Sequence, residues 1–124
     1  MTKIVYKSHL PFPFARAVRA GDFVFVSGQL PFGPNGDMIQ GTIEVQTRVV
    51  LETIAMTLEE AGCTMGDIVK NTIWLEDTRD FAGFNKVYAE FFPEDPPARA
   101  TIRSDLMLDA KIEIEATAYK PLGD

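Results

Sequence analysis

Residues 96–119 read PPARATIRSDLMLDAKIEIEATAY, and their reading decides how the chain folds. Two runs of strict alternation flank a turn-like segment. In the first, Ala98, Ala100 and Ile102 share one face, and Arg99, Thr101 and Arg103 the other. In the second, Ile112, Ile114, Ala116 and Ala118 share one face, and Lys111, Glu113, Glu115, Thr117 and Tyr119 the other. A period of two with one apolar face is the pattern of a half-buried strand. Ser104–Asp109 is long enough to reverse the chain, so the spacing predicts an antiparallel pair. With the reversal centred near Met107, Arg99 falls across from Glu115, and Thr101 across from Glu113. One guanidinium and two carboxylates would then share a small patch. On spacing alone the simpler reading is a solvated hairpin face, where such pairs contribute only about a few tenths of a kcal/mol.

Outward from this stretch, the chain reads as one α+β domain over residues 1–124. Ile4–Tyr6 is a short strand, and His9–Phe14 an extended loop punctuated by Pro11 and Pro13, since each X-Pro bond disfavours helix in the residue before it. Ala17–Ala20 and Phe23–Gln29 are expected as a hairpin turning at Gly21-Asp22. Phe23–Val26 is continuously apolar, which predicts burial on both faces. Thr42 is placed to cap a helix running to about Ala61, with Glu44 in its first turn and Gly62 as its stop. Val50, Ile54, Leu58 and Ala61 form its apolar stripe. A strand over Asp67–Glu76 puts Val69, Asn71, Ile73 and Leu75 on one face. A second helix carries Phe81, Phe84, Tyr88 and Phe91 at helical spacing and ends before Pro93, Pro96 and Pro97. Two helices cover only one face of such a sheet. The other face also carries apolar residues, and a homo-oligomer is the simplest cover for it.

Composition bounds the chemistry. The chain has 124 residues, 46% of them hydrophobic, and a net charge of -6. No basic run occurs, which speaks against nucleic acid as the main partner, because neutralising phosphates takes clustered Lys and Arg. One cysteine, Cys63, and one histidine, His9, make a Cys- or His-ligated metal site and a disulfide unexpected. Nothing reads as a signal peptide or a membrane span, so a cytoplasmic protein is the default expectation. Phosphate-cradling glycine loops, CxxC, HExxH and GxSxG are all missing from the sequence. A Ser–His–Asp arrangement would need His9 in the N-terminal loop, and Cys63 just past a helix end reads as structural.

Four segments, in order, resemble the RidA/YjgF/UK114 family of enamine and imine deaminases. They are VSGQLP (Val26–Pro31), AGCTMGDIVKNTIWLED (Ala61–Asp77), FAGFNKVYAEFF (Phe81–Phe92), and PPAR with the following KIEIEA (Pro96–Ala116). The resemblance implies a chorismate-mutase-like fold: a mixed or antiparallel sheet of about six strands with two helices on one face. It also implies a homotrimer with sites in the clefts between neighbouring copies. It implies hydrolysis of reactive imino or enamino acids without metal or cofactor, Arg99 gripping the substrate carboxylate and Glu113 activating water. Ser27, Gly28 and Asn85 match further positions of the family pattern, and Glu115 stays a rival to Glu113 as the base. Two positions depart from many relatives: Thr101 stands for a cysteine and Phe14 for a tyrosine. The first excludes thiol chemistry there, and the second leaves an apolar wall, so substrate preference is in question more than reaction type. The chemistry suits the residues, since a guanidinium fork grips a carboxylate bidentately and a nearby carboxylate takes a proton from water. Other readings are an aminomuconate-type deaminase and a non-enzymatic carboxylate-binding trimer. The RNA-cleaving role also attached to the family is least favoured by so acidic a chain.

Overall fold

A computed structural model describes residues 3–123. Six strands and two helices follow in the order β1 (Ile4–Lys7), β2 (Ala15–Ala20), β3 (Phe23–Gln29), α1 (Ile43–Glu60), β4 (Ile68–Leu75), α2 (Phe81–Phe91), β5 (Ala98–Arg103) and β6 (Ile112–Tyr119). The strands form one mixed sheet in the order β1-β2-β3-β6-β4-β5.

Local signals act where they are expected. The Thr42 hydroxyl accepts from the Val45 amide at 3.2 Å and caps α1. Gly62 ends the helix in the left-handed region, φ 81°, where a glycine costs least. Gly21, φ 61°, turns β2 into β3. Both helices pack on one side of the sheet. Val50, Leu51, Ile54 and Leu58 of α1 and Phe84 of α2 meet Val24, Val26, Ile73, Ile112 and Ile114, all buried. Among the described residues, no helix is long and apolar enough to cross a membrane.

The closing stretch departs from its expected form. β5 and β6 are not a hairpin: β4 lies between them, parallel to β5 and antiparallel to β6. Arg99 pairs in register with Asn71 and Thr101 with Ile73, while Glu113 faces Trp74 and Glu115 faces Thr72. The expected Arg99–Glu115 and Thr101–Glu113 pairs do not form. The reason lies upstream, where β4, α2 and β5 make a parallel strand–helix–strand unit. Such a unit puts the second strand beside the first, and β6 takes β4's other edge. Ser104–Lys111 then carries the chain past one strand, about 10 Å.

Two smaller expectations also change. Val24 and Val26 are buried, but Phe23 and Phe25 are 41% and 47% exposed on the side away from the helices. Val69 is exposed, because a bulge between Ile68 and Lys70 shifts it out of the alternation and puts Ile68 in the core instead. The uncovered face carries Phe23, Phe25 and Tyr119, with Phe23 and Tyr119 rings 5.2 Å apart.

Candidate functional site

Arg99 and Glu113 stand on opposite faces of the sheet. Directly paired strand residues share a face. Arg99 pairs with buried Asn71, on the helix side. Glu113 lies between Ile112 and Ile114, both fully buried on the helix side, and therefore points the other way. The candidate residues of one chain thus lie in two separate places.

The first place is built by α2 over the edge strand β5. The Arg99 guanidinium lies over three rings of α2, at 4.9 Å from Tyr88, 5.2 Å from Phe84 and 5.8 Å from Phe81. Its Nη2 donates to Oδ1 of Asn85 at 2.7 Å. The ring faces attract the cation, and Asn85 takes one of the five N–H donors of the fork. Thr101 follows two residues on, on the same face. Behind them, Nδ2 of Asn71 donates to the Tyr88 hydroxyl at 2.9 Å. Burial raises the Tyr88 phenol, partly offset by this bond. Tyr88, Phe84 and Asn71 were not expected to bear on Arg99. Their helical and strand periodicity marks only a core, and no sequence signal tells which core rings will lie under a guanidinium.

The second place lies at the end of the sheet where β3 stops and β6 starts. Phe14, Gly28 and Glu113 line one cleft of about 740 Å³, together with Arg16 and Glu52. Glu113 is half-buried, and burial first, then the nearby Glu115 charge, push its carboxyl above the ordinary glutamate range. Gly28 sits directly against it: a Cβ there would collide with Oε2 of Glu113. Glycine at this position therefore leaves room for the carboxylate, as the close approach of a strand glycine suggests. Ser27 points elsewhere, its hydroxyl donating to the Ala15 carbonyl at 2.6 Å and tying β2 to β3. Arg16 is paired with Glu60. Among the described residues, neither Arg99 nor Glu113 takes part in an ion pair. Of the residues expected at the site, Phe14, Gly28 and Glu113 come together at the cleft, and Arg99, Asn85 and Thr101 come together under α2. Glu115 is exposed on the open face beside Thr72.

Comparison with known proteins identifies the family. A family model described as Endoribonuclease L-PSP matches residues 8–120. A RutC family protein of Pyrococcus horikoshii is 44% identical, over 97% of this chain and 99% of that protein. The 3-aminoacrylate deaminase RutC of Acinetobacter baylyi is 43% identical, over 86% of each. The solved structure of YyfA from Yersinia pestis, of the Rid protein family, superposes with a TM-score of 0.90 at 34% identity, over 95% of this chain and 99% of that one. Matches of this extent and identity show that the chain belongs to the Rid (YjgF/RidA) family.

Proposed function

We propose that the protein hydrolyses enamine and imine acids to oxo acids and ammonia, at a site that two copies of the chain build together. Arg99 of one copy grips the substrate carboxylate, and Glu113 of the next takes a proton from water. The observation that carries this reading is the environment of Glu113: a half-buried carboxylate in a cleft, without an ion-pair partner and with a raised pKa. A carboxylate raised above its ordinary range is a stronger base than an exposed glutamate, which suits it to taking a proton from water. The similarity to a 3-aminoacrylate deaminase supports the same reaction class.

The steps follow from the groups. An enamine first becomes its imine by taking a proton from solvent on carbon and releasing one from nitrogen to solvent. The Arg99 fork, held over the rings of α2, fixes the carboxylate and with it the electrophilic carbon. Water loses a proton to Glu113 as its oxygen bonds to the imine carbon. Glu113 passes that proton to nitrogen, giving the neutral carbinolamine. The carbinolamine hydroxyl then loses its own proton to Glu113 as the C–N bond breaks. Glu113 hands this second proton to the departing nitrogen, which leaves as ammonia. Net, R–C(=NH)–COO⁻ and water give R–CO–COO⁻ and ammonia. We assign Asn85 to aligning Arg99, Gly28 to making room for Glu113, and Phe14 to the cleft wall. Thr101 borders the carboxylate end, and Ser27 acts through the backbone of β2. The endoribonuclease wording of the family description fits this chain poorly, since a net charge of -6 without a basic run repels phosphates.

A homotrimer covering Phe23, Phe25 and Tyr119 is the assembly this reading requires, and sedimentation at micromolar concentration should show it. Ammonia release from imines made in situ by an amino-acid oxidase, and from 3-aminoacrylate, tests the reaction itself. Hydrolysis of neither by a folded, oligomeric protein would overturn the proposal. The activity of a clean monomer would overturn the shared site.

Gly28→Ala probes the cleft. The new methyl meets the far end of a flexible side chain, so the protein should fold while the Glu113 carboxylate is displaced. A misplacement of this size lowers kcat/KM about a hundredfold, with the melting temperature nearly unchanged. Turnover like wild type would mean that this carboxylate is not the reacting group.

A further inference from the structure

We propose that the cleft beside Glu113 is a side-chain pocket for large aliphatic and aromatic 2-imino acids, so that these, rather than the smallest imines, are the preferred substrates. The inference rests on the imine-hydrolase reading for its chemistry, and on the cleft for its selectivity. The cleft measures about 740 Å³ in one chain and is open on one side, so it has room for a substrate side chain as well as for the neighbouring copy that brings Arg99. A three-carbon imino acid, with a single methyl as its side chain, would leave most of its wall wet.

Much of that wall is apolar. Leu10, Phe12, Phe14, Val49 and Leu108 line it. The Phe12 and Phe14 rings are stacked, with centroids 6.2 Å and planes 11° apart, yet the two residues remain 47% and 41% exposed. Single exposed apolar residues need no explanation. A stacked pair presented to the same cleft as a half-buried carboxylate is a surface that gains by being covered. The loop also holds its shape: Pro11 and Pro13 restrict its backbone, and the Phe14 amide donates to the Phe12 carbonyl at 2.9 Å. Glu52 and Glu113 set two carboxylates on the cleft against the one guanidinium of Arg16. Its Nη2 bonds to Glu60, while its buried Nε has no partner among the described residues, and this balance disfavours an acidic side chain. Each substrate methylene buried against this wall is worth roughly fourfold in affinity.

The test has two readouts. Ammonia release is compared for imines generated from alanine, leucine, phenylalanine and glutamate. Separately, titration calorimetry measures the binding of pyruvate, 4-methyl-2-oxopentanoate and phenylpyruvate, which needs no turnover. The leucine and phenylalanine imines should exceed the alanine imine about tenfold or more in kcat/KM, with glutamate lowest, and the larger oxo acids should bind tighter by a similar factor. In Phe12→Ser the leucine-to-alanine ratio should fall toward one; a ratio within one protein is independent of how much of it folds. Preference for the alanine imine, with pyruvate bound as tightly as phenylpyruvate, overturns the pocket and leaves the hydrolase reading standing. Tight phenylpyruvate binding with no ammonia from any imine supports the pocket and removes the hydrolase reading.

Discussion

Replacing Arg99 by alanine is expected to lower kcat/KM for imine hydrolysis by roughly thirty- to several-thousand-fold, the equivalent of about 2–5 kcal/mol for a charge-assisted pair lost from a partly desolvated cleft. Arg99→Lys should lose most of that as well. Lysine keeps the charge but presents a point donor on a flexible stem, so it cannot make two parallel bonds. Nor can it sit over Tyr88 and Phe84 with one donor on Asn85 and a planar fork still free, as the guanidinium does. The opposing reading is structural, with Arg99 merely completing the packing under α2. In that case Arg99→Ala lowers the melting temperature and leaves turnover per folded oligomer unchanged. Steady-state kinetics beside a thermal melt separate the two. A substrate whose carboxylate is esterified gives an independent check, because it should react slowly with wild type and be nearly indifferent to Arg99→Ala.

Glu113→Gln should cost two to four orders of magnitude in turnover, roughly the span of a positioned acid–base group. The amide preserves the shape beside Gly28 but cannot take a proton. The pH dependence has a definite sign. Because burial and Glu115 raise the Glu113 pKa, the carboxyl holds its proton to higher pH than an ordinary glutamate. The basic form is lost as pH falls through that raised value, so the acid limb of kcat/KM lies above the ordinary carboxylate range. Glu115→Gln removes one of the two causes and should move the limb to lower pH while leaving turnover on the plateau. If Glu113→Gln remained active and Glu115→Gln were dead, the base would be Glu115.

Much of the fold was legible in the chain. Thr42, Gly62 and the stripe Val50–Ile54–Leu58 defined α1 because capping and periodicity are local. Gly21 defined the β2–β3 hairpin for the same reason. The order of the last strands was not legible. An eight-residue connection between Arg103 and Ile112 reaches either an adjacent strand or one strand further, and alternation within each run is the same in both cases. What decides is the β4–α2–β5 unit, a nonlocal pairing that no residue of 96–119 announces. The faces followed suit. Arg99, Thr101 and Arg103 read as a wet face, yet Arg99 is turned toward α2, because ring faces and the Asn85 amide can receive a guanidinium that water would otherwise solvate. The candidate residues were therefore named individually, by resemblance, while the single hairpin expected to bring them together does not form. Separating them onto two faces of the sheet turns the site from a property of one chain into a proposed property of two.

Mixing two dead variants measures this most directly. Arg99→Ala and Glu113→Gln are purified separately, combined in equal amounts, dissociated, reassembled, and assayed for ammonia release. In a mixed ring each variant supplies the half-site the other lacks. About a quarter of the shared sites then hold both Arg99 and Glu113, because each copy donates one half-site to each of its neighbours. Activity should return to roughly that fraction of the wild-type value treated in the same way. A mixture no more active than its separate components, while reassembled wild type is fully active, would contradict the shared site.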